Sequence, residues 1–160
     1  MLTAKVRPAS AQDGSLAGHP NVGVWMVASP IGPAIAVYSD DGSVITALTP
    51  TQAGPEGVSY PSAQVGTWES TGENGTHLTA VQLLSDANGA FAGSVTVDSY
   101  QTVSDDGQSF ASDEGASITV RDAANAIVMV IEPEVGAATG IRMSPGNPGL
   151  PGGGASTPIP

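Results

Sequence analysis

The connections between the apolar segments constrain the fold of this chain more than any other feature of its sequence. From Val65 onwards four successive connections are short, at 72–75, 86–89, 105–107 and 122–125. Asn-Gly or Asp-Gly pairs in the first three permit the positive φ angles of tight hairpin turns. A parallel crossover needs about a dozen residues or more. The sequence therefore predicts an antiparallel meander.

The segments between these turns have the composition of β-strands. Val, Ile and Thr are frequent in them, and no window keeps apolar residues at the i, i+3, i+4, i+7 spacing of an amphipathic helix. The long connection at 50–64 contains three prolines and is predicted to be a loop over one end of the structure. Nine strands are predicted, at 22–29, 34–39, 43–49, 65–71, 76–85, 90–104, 108–121, 126–132 and 138–143.

Alternation along the two longest predicted strands indicates that the meander closes on itself. In 90–104 Phe91, Val95 and Val97 share one face and polar residues the other, and Phe110 and Ile118 share a face in 108–121. A strand with one apolar face and one polar face suits the wall of a barrel. Closure also removes the exposed edges of so wide a sheet. We therefore expect an all-β fold, an antiparallel up-and-down meander closing into a barrel of about 8 to 9 strands.

The chain divides into three predicted parts. These are an N-terminal arm or signal remnant at 1–20, the β-barrel domain at 21–144, and a Pro/Gly-rich C-terminal tail at 145–160, so that irregular arms flank the barrel. In the arm, Ala9-Ser10-Ala11 followed by Gln12 is similar to a signal-peptidase site, but no apolar segment precedes it. Either 1–11 is the remnant of a longer signal or the match is a coincidence.

Charge and composition exclude several classes of partner and site. Fifteen acidic residues against four basic ones give a net charge of −11, which repels nucleic-acid phosphates and anionic lipid surfaces, so neither is expected as a partner. The chain has no cysteine, which removes disulfides, thiol nucleophiles and cysteine-based metal sites. Charged residues make up only 12% of the chain, against the usual quarter. This composition is typical of proteins outside the cell and predicts secretion.

Two Gly-x-Trp units carry a resemblance to a known family. They are VGVWMVAS at 22–29 and VGTWEST at 65–71. A Gly-x-Trp on the first strand, with an Arg on a late strand, resembles the signature of the calycin barrels, the lipocalins and their relatives. Gly23 and Trp25 match its first part and Arg142 its second. The resemblance implies that Arg142 packs across Trp25 near the closed end of the barrel, where a cation–π contact stabilises by ~1 kcal/mol. Trp25 and Trp68 are both expected in the core.

A longer resemblance covers 21–143. The segments GVW, YSDDGSV, GTWESTGENGTH, DANGAFAGSVTV and DDGQSF are similar, in order and spacing, to a group of small secreted bacterial proteins with a lipocalin-like barrel and no assigned activity. The resemblance implies the fold and supplies no reaction. The sequence lacks the disulfides and the helix after the barrel that are common in true lipocalins. Ligand binding is therefore expected for this chain only by analogy with the fold of the lipocalins.

The repeated tetrapeptide Ser-Asp-Asp-Gly, at 39–42 and 104–107, is either a calcium loop or a hairpin corner. An EF-hand loop ends in a bidentate Glu at its twelfth position, and neither copy has an acidic residue there. Asp and Ser bond local backbone in turns and Gly supplies the positive φ, which favours corners. His19 and His77 lie far apart in the sequence and make poor zinc ligands. We expect no metal and no cofactor.

The inward face of the barrel supplies the candidate binding residues. Gln101 and Glu114 fall in the same phase as the apolar residues, so both point inward if the strands are unbroken. A carboxylate in an apolar interior has a raised pKa, which makes Glu114 the one catalytic candidate. Alternatively, a β-bulge at Gly115 turns Glu114 outward. Tyr60, in the long loop, is a candidate rim contact. The apolar candidates are Phe91, Val95, Val97, Phe110, Ile118 and Met129.

Three functions stay open at this point. The first is a secreted, non-catalytic barrel that binds a small apolar molecule in its interior, although side chains can instead fill a barrel of this size. The second is an extracellular structural subunit whose terminal arms dock onto neighbouring copies, a homo-oligomer. The third is a cofactor-free enzyme that uses an interior carboxylate.

Overall fold

The computed structural model describes residues 16–54 and 57–150, and every element in them is a β-strand. All strand pairings are antiparallel. No helix of this part of the chain is long and apolar enough to cross a membrane. The strands are β1 Gly23–Ser29, β2 Gly32–Tyr38, β3 Ser43–Leu48, β4 Gln52–Gly54, β5 Gly57–Pro61, β6 Gln64–Ser70, β7 Gly75–Ser85, β8 Phe91–Val103, β9 Ser109–Ser112, β10 Ser117–Asp122, β11 Ile127–Ile131 and β12 Thr139–Arg142.

Eight strands close into a barrel, which confirms the predicted fold class. In order around the wall they are β1, β2, β3, β6, β7, β8, β9 and β12, and β12 pairs with β1 to complete the ring. The second edge of β8 has two partners, because β9 pairs with its C-terminal part and β10 with its N-terminal part. Strand β11 pairs with β10, and the small hairpin of β4 and β5 joins β7 through β5.

Two predicted elements differ from the structure. The predicted strand 108–121 is two strands, because the chain turns between Ser112 and Ser117, where Gly115 has a φ of 87°. That conformation costs an ordinary residue energy and suits glycine. The predicted loop 50–64 contains the β4–β5 hairpin. Its prolines did not exclude strands, since proline is tolerated in edge strands and at strand ends.

Alternating side chains of the wall form a continuous core. Trp25 and Trp68 are 0% and 2% exposed. Trp25 lies edge-on to Phe110 at 5.2 Å between ring centroids, and Tyr38 lies edge-on to Trp68 at 5.9 Å, an arrangement that aromatic rings favour. Because these rings lie at the N-terminal end of β1 and the C-terminal end of β2, they fill one end of the barrel, here called the closed end.

Arg142 joins three segments at the closed end. Its guanidinium carbon lies 4.3 Å from the centroid of the Trp25 ring. Its Nη1 donates to the carbonyl of Val22 at 2.9 Å, and its Nη2 and Nε donate to the carbonyls of Pro20 and Gly107. A Cβ on Gly23, whose φ is 141°, would lie 2.5 Å from Nη1. The Gly-x-Trp unit therefore needs its glycine to leave room for the arginine.

The prediction that the Ser-Asp-Asp-Gly repeats are hairpin corners is confirmed. In the first, Asp41 Oδ1 accepts hydrogen bonds from the hydroxyl and the backbone N–H of Ser43, at 2.6 and 2.8 Å. These bonds, led by the hydroxyl, hold the pKa of Asp41 below its usual value. Asp106 is held in the same way by Ser104 and Gln108, and its pKa is also lowered. Gly42 and Gly107 have φ values of 83° and 68°.

The structure describes a part of each terminal segment. Residues 1–15 of the predicted arm and 151–160 of the predicted tail lie outside the described residues. The N–H of Leu16 donates to the carbonyl of Asp40 at 3.3 Å, and the His19 ring lies 5.3 Å from that of Trp68. Gly149 lies beside Met26 and Ile141. The described parts of both arms therefore pack on their own barrel.

The candidate ligand cavity

The end of the barrel opposite Arg142 contains a cavity of about 90 Å³ that opens to solvent. Its lining includes Pro30 and Ile31 of the β1–β2 turn, Leu48 at the end of β3 and Pro133 after β11. These residues mark the mouth of the barrel. Phe110 and Tyr38 separate the cavity from the closed end. The barrel is thus filled at one end and hollow at the other.

Small side chains on facing strands leave this space. Ala34 and Ala36 of β2, with Ala116 and Ala138 from the loops before β10 and β12, line the cavity where larger residues would fill it. The remaining wall is mainly aliphatic. It includes Val27, Leu78, Val97 and Ile118. A ligand in this cavity would therefore lie mostly against hydrocarbon.

Gln64 places an unused hydrogen-bond donor in this apolar wall. It begins β6, lines the cavity and is only 5% exposed. Its Nε2 is buried, and no described residue accepts a hydrogen bond from it. A buried polar group without a partner costs about 1–3 kcal/mol, so such groups in native proteins usually have water or a ligand beside them.

A second polar group in the cavity is already bonded. The Tyr38 hydroxyl donates to Gln101 Oε1 at 3.4 Å, and Gln101 Nε2 donates to Asn21 Oδ1 at 3.1 Å. Burial raises the pKa of Tyr38 well above its usual value, more than the bonds to Gln101 and Asn21 lower it. The phenol is therefore neutral at any physiological pH. Its bond to Gln101 is at the long end of the hydrogen-bond range.

The lining groups suit binding better than covalent chemistry. The polar side chains among the described lining residues are amides and hydroxyls, apart from Asp98. The Asp98 carboxylate bonds His77 and Thr79 on the outer wall. A nucleophile needs a base within hydrogen-bond reach, and these amides and hydroxyls do not act as bases at neutral pH. The cavity can hold a molecule by shape and hydrogen bonds.

The predicted binding residues other than Glu114 fall into three groups. Val97, Gln101, Phe110 and Ile118 line the cavity. Val95 is buried on the same face, one row beyond the cavity lining. Phe91, Met129 and Tyr60 are 53%, 38% and 44% exposed and lie outside the lining. Tyr60 and Met129 lie on β5 and β11, outside the eight-strand ring, and Phe91 lies at the first residue of β8.

Glu114 does not point inward. It lies exposed in the turn between β9 and β10, beside Gly115. The turn breaks the phase that connected Glu114 with Phe110 and Ile118. The carboxylate is therefore exposed, as in the alternative, but a turn between two strands exposes it and not a β-bulge at Gly115. An interior carboxylate at this position was the basis of the catalytic hypothesis.

Sequence reasoning missed Gln64 because it was assigned to the end of a loop. The alternation Gln64, Gly66, Trp68 in β6 places it on the inner face, opposite the exposed Val65. Counting back from Trp68 by twos would have found it, since side chains alternate along a strand.

A polar cluster on the outer wall was also missed. His77 connects three strands, with Nδ1 at 3.2 Å from a carboxylate oxygen of Glu69 and Nε2 at 3.2 Å from one of Asp98. The protonated imidazole donates to both carboxylates, and the ring stacks on that of Tyr100 at 4.3 Å between centroids. Burial lowers the pKa of His77, but the two carboxylates together raise the pKa by more than burial lowers it. The pKa of His77 therefore lies above its usual value. Its detection requires the register of β6, β7 and β8.

No protein-family model, no curated protein and no solved structure matches this chain. The closed eight-stranded antiparallel barrel is consistent with a lipocalin-like architecture. Its arginine over the tryptophan has the arrangement that the resemblance to the calycins implied.

Proposed function

We propose that the protein is a secreted, non-catalytic member of the calycin-like barrels that binds a small, mainly apolar molecule with one hydrogen-bond acceptor. The observation that carries the proposal is Gln64, which lines the apolar cavity and whose buried Nε2 lacks a hydrogen-bond partner among the described residues. The acceptor of the ligand takes the hydrogen bond that Gln64 offers. The low content of charged residues supports the secreted location.

The size of the cavity limits the ligand. A void of about 90 Å³ is smaller than the ~150 Å³ cavities that admit benzene. The enclosed part is therefore a compact group of a few heavy atoms, such as a small ketone or the end of a longer molecule that leaves through the mouth beside Ile31 and Pro133. A whole fatty acid does not fit inside.

The test compares two probes of equal shape. Acetone and 2-methylpropene, which have four heavy atoms each, are titrated into the protein and followed by the NMR shifts of the methyl groups of Val97 and Ile118. We expect the ratio of the two affinities to favour acetone at least about tenfold more in the wild type than in Gln64→Leu, since one hydrogen bond to an otherwise unpaired donor is worth about 1–2 kcal/mol. The comparison of two variants cancels the different hydration of the two probes. Val65→Leu, which alters the adjacent outward residue, should keep the wild-type ratio.

Two results would contradict the proposal. One is the absence of binding of either probe at millimolar concentration. The other is an unchanged preference in Gln64→Leu. A variant that fills the space, Ala36→Leu, provides a second check, because it should abolish binding of both probes if the ligand lies in the cavity.

The subunit hypothesis based on the terminal arms stays a prediction. The described parts of the arms contact their own barrel, which gives no support to docking on neighbouring copies.

A further inference from the structure

The inner face of the barrel wall continues past the cavity onto β10 and β11. Val97 of β8 and Ile118 of β10 line the cavity, and Ile118 pairs with both Val97 and Ile131 of β11. Paired residues of antiparallel strands lie on the same face of the sheet, so Ile131 lies on the face that forms the cavity wall. Pro133, two residues further along the chain, lines the cavity as well. Ile131 therefore adjoins the lining.

A second row of apolar residues runs beside the first on the same face. Val95 of β8 pairs with Val120 of β10, and Val120 pairs with Met129 of β11. Val95 is buried, whereas Met129 and Ile131 are 38% and 37% exposed. Met129 and Ile131 are here called the apolar shelf. The shelf is an exposed continuation of the cavity wall.

A β-bulge sets the end of the shelf. The register passes from Val120 opposite Met129 to Arg121 opposite Ile127, which leaves Val128 as an extra residue of β11. A bulge interrupts the alternation of side chains, and it protects a sheet edge from pairing with another chain. The alternation that places Ile131 and Met129 on the inner face therefore does not extend to Ile127.

The size of the shelf suits a chain molecule better than a protein. Met129 and Ile131 together expose on the order of 150 Å², against ~800 Å² per partner in a standard protein complex. A row of methylene groups needs a strip no wider than one side chain. The cavity of about 90 Å³ holds a few heavy atoms, so a longer ligand has to continue outside it. The shelf continues the apolar wall in that direction.

We propose that the apolar shelf is a second subsite of the ligand cavity, and that the ligand is a linear aliphatic chain with its hydrogen-bond acceptor near one end. The inference rests on the proposed function, because it takes the acceptor to lie at Gln64. The chain leaves the cavity past Ile118 and lies on Ile131. One strand spacing separates Ile118 from Ile131, about 4.8 Å, and Met129 lies about 7 Å further along β11. A ligand of about ten carbons reaches the shelf by this path.

Methyl ketones of increasing length test the subsite in the same NMR titration. The chain of 2-butanone fits within the cavity, whereas that of 2-decanone is too long for it. A fully buried methylene tightens binding about fourfold, and a methylene on an open shelf is buried on one side. We therefore expect the affinity to rise at least about twofold per added carbon from 2-pentanone to 2-decanone. A constant affinity beyond 2-pentanone would overturn the proposal.

Two neighbouring residues on opposite faces of β11 provide a matched pair of variants. Ile131→Thr removes apolar surface from the shelf, and Val130→Thr makes a similar change on the outer face, because side chains alternate along a strand. Ile131→Thr should weaken the binding of 2-decanone at least about threefold and leave that of 2-butanone unchanged. Val130→Thr should leave both unchanged. Met129→Thr is a second shelf variant, and circular dichroism verifies the folding of all three. Equal effects of Ile131→Thr and Val130→Thr would refute the subsite.

The methyl signals of the shelf locate the chain directly. Those of Ile131 and Met129 should shift with 2-decanone and stay in place with acetone. If acetone binds through Gln64 but the ketone series shows no gain with length, the proposed function stands and the subsite is refuted. If no ketone binds, both are refuted. Signals of Ile131 that shift with protein concentration in the absence of ketone would place a second copy on the shelf and would also overturn the proposal.

Discussion

Replacing Arg142 by Met tests how much one side chain contributes to the closed end of the barrel. The variant loses hydrogen bonds to three carbonyls, of Pro20, Val22 and Gly107, and the contact with Trp25. Three bonds at about 1 kcal/mol net each and ~1 kcal/mol for the cation–π contact give about 4 kcal/mol. Desolvation lowers the pKa of Arg142 and offsets part of this sum, so we expect a loss of about 3 kcal/mol.

The assay is equilibrium unfolding in urea followed by far-ultraviolet circular dichroism, because the fluorescence of Trp25 changes with its neighbour. A loss of about 3 kcal/mol lowers the midpoint by roughly 1–2 M for a domain of this size. Arg121→Met is the matched control, since Arg121 makes one hydrogen bond, to the carbonyl of Asn125 at 3.1 Å, on the exposed surface. It should cost less than about 1 kcal/mol. Equal losses in the two variants would refute the reasoning.

Gly23 provides a second measurement of the same contact. Gly23→Ala places a Cβ 2.5 Å from Nη1 of Arg142, so the substitution is expected to displace the guanidinium. In the Arg142→Met variant the guanidinium is absent, so the added Cβ of Gly23→Ala no longer overlaps it. The double variant should therefore be more stable than the sum of the single losses predicts, by at least about 1 kcal/mol. Strict additivity would mean that the two residues do not interact.

Three further predictions concern other parts of the wall. Gly140→Ala should lose at least about 2 kcal/mol, because its Cβ would overlap the Phe110 ring, whereas Gly72→Ala, with open space around it, should be near neutral in the same urea assay. The pKa of His77 is raised in the folded protein, so protonated His77 stabilises the fold. This stabilisation is complete below the pKa of His77 in the unfolded chain, about 6.5, and it is lost as the pH rises through the pKa in the folded protein. The stability difference between wild type and His77→Gln, at most about 1 kcal/mol for so exposed a group, should thus shrink between about pH 6 and pH 9 in urea titrations; a difference that grows with pH would have the wrong sign. Gly42→Ala should cost about 1 kcal/mol in thermal unfolding, since its φ is 83°, and an unchanged melting temperature would argue against the turn geometry.

Local signals in the sequence were sufficient for most hairpins of the meander, whereas one long-range contact required a resemblance to a family. Asn-Gly and Asp-Gly pairs act within four residues, and they placed the hairpins correctly. The contact of Arg142 with Trp25 came from the resemblance to a family, since these residues are far apart in sequence and no local rule connects them.

The predictions for single side chains were wrong where the position of the side chain depends on strands that are distant in sequence. Strand phase is reliable only until the chain turns, and Gly115 ended the phase that Glu114 depended on. Phe91 and Met129 have the correct phase but lie beyond the length of β1. Gln64 was missed because the prolines before it suggested a loop.

Because β8 pairs with both β9 and β10 along one edge, the molecule has two parts that differ in local stability. The ring through β9 and β12 is closed, whereas β10 and β11 are attached to it through β8. Backbone amides of β10 should therefore exchange with deuterium through a local opening, while those of β1 and β7 exchange only when the whole domain unfolds. Since Ile118 and Ser117 of β10 line the cavity, the same opening would set how fast a trapped molecule escapes.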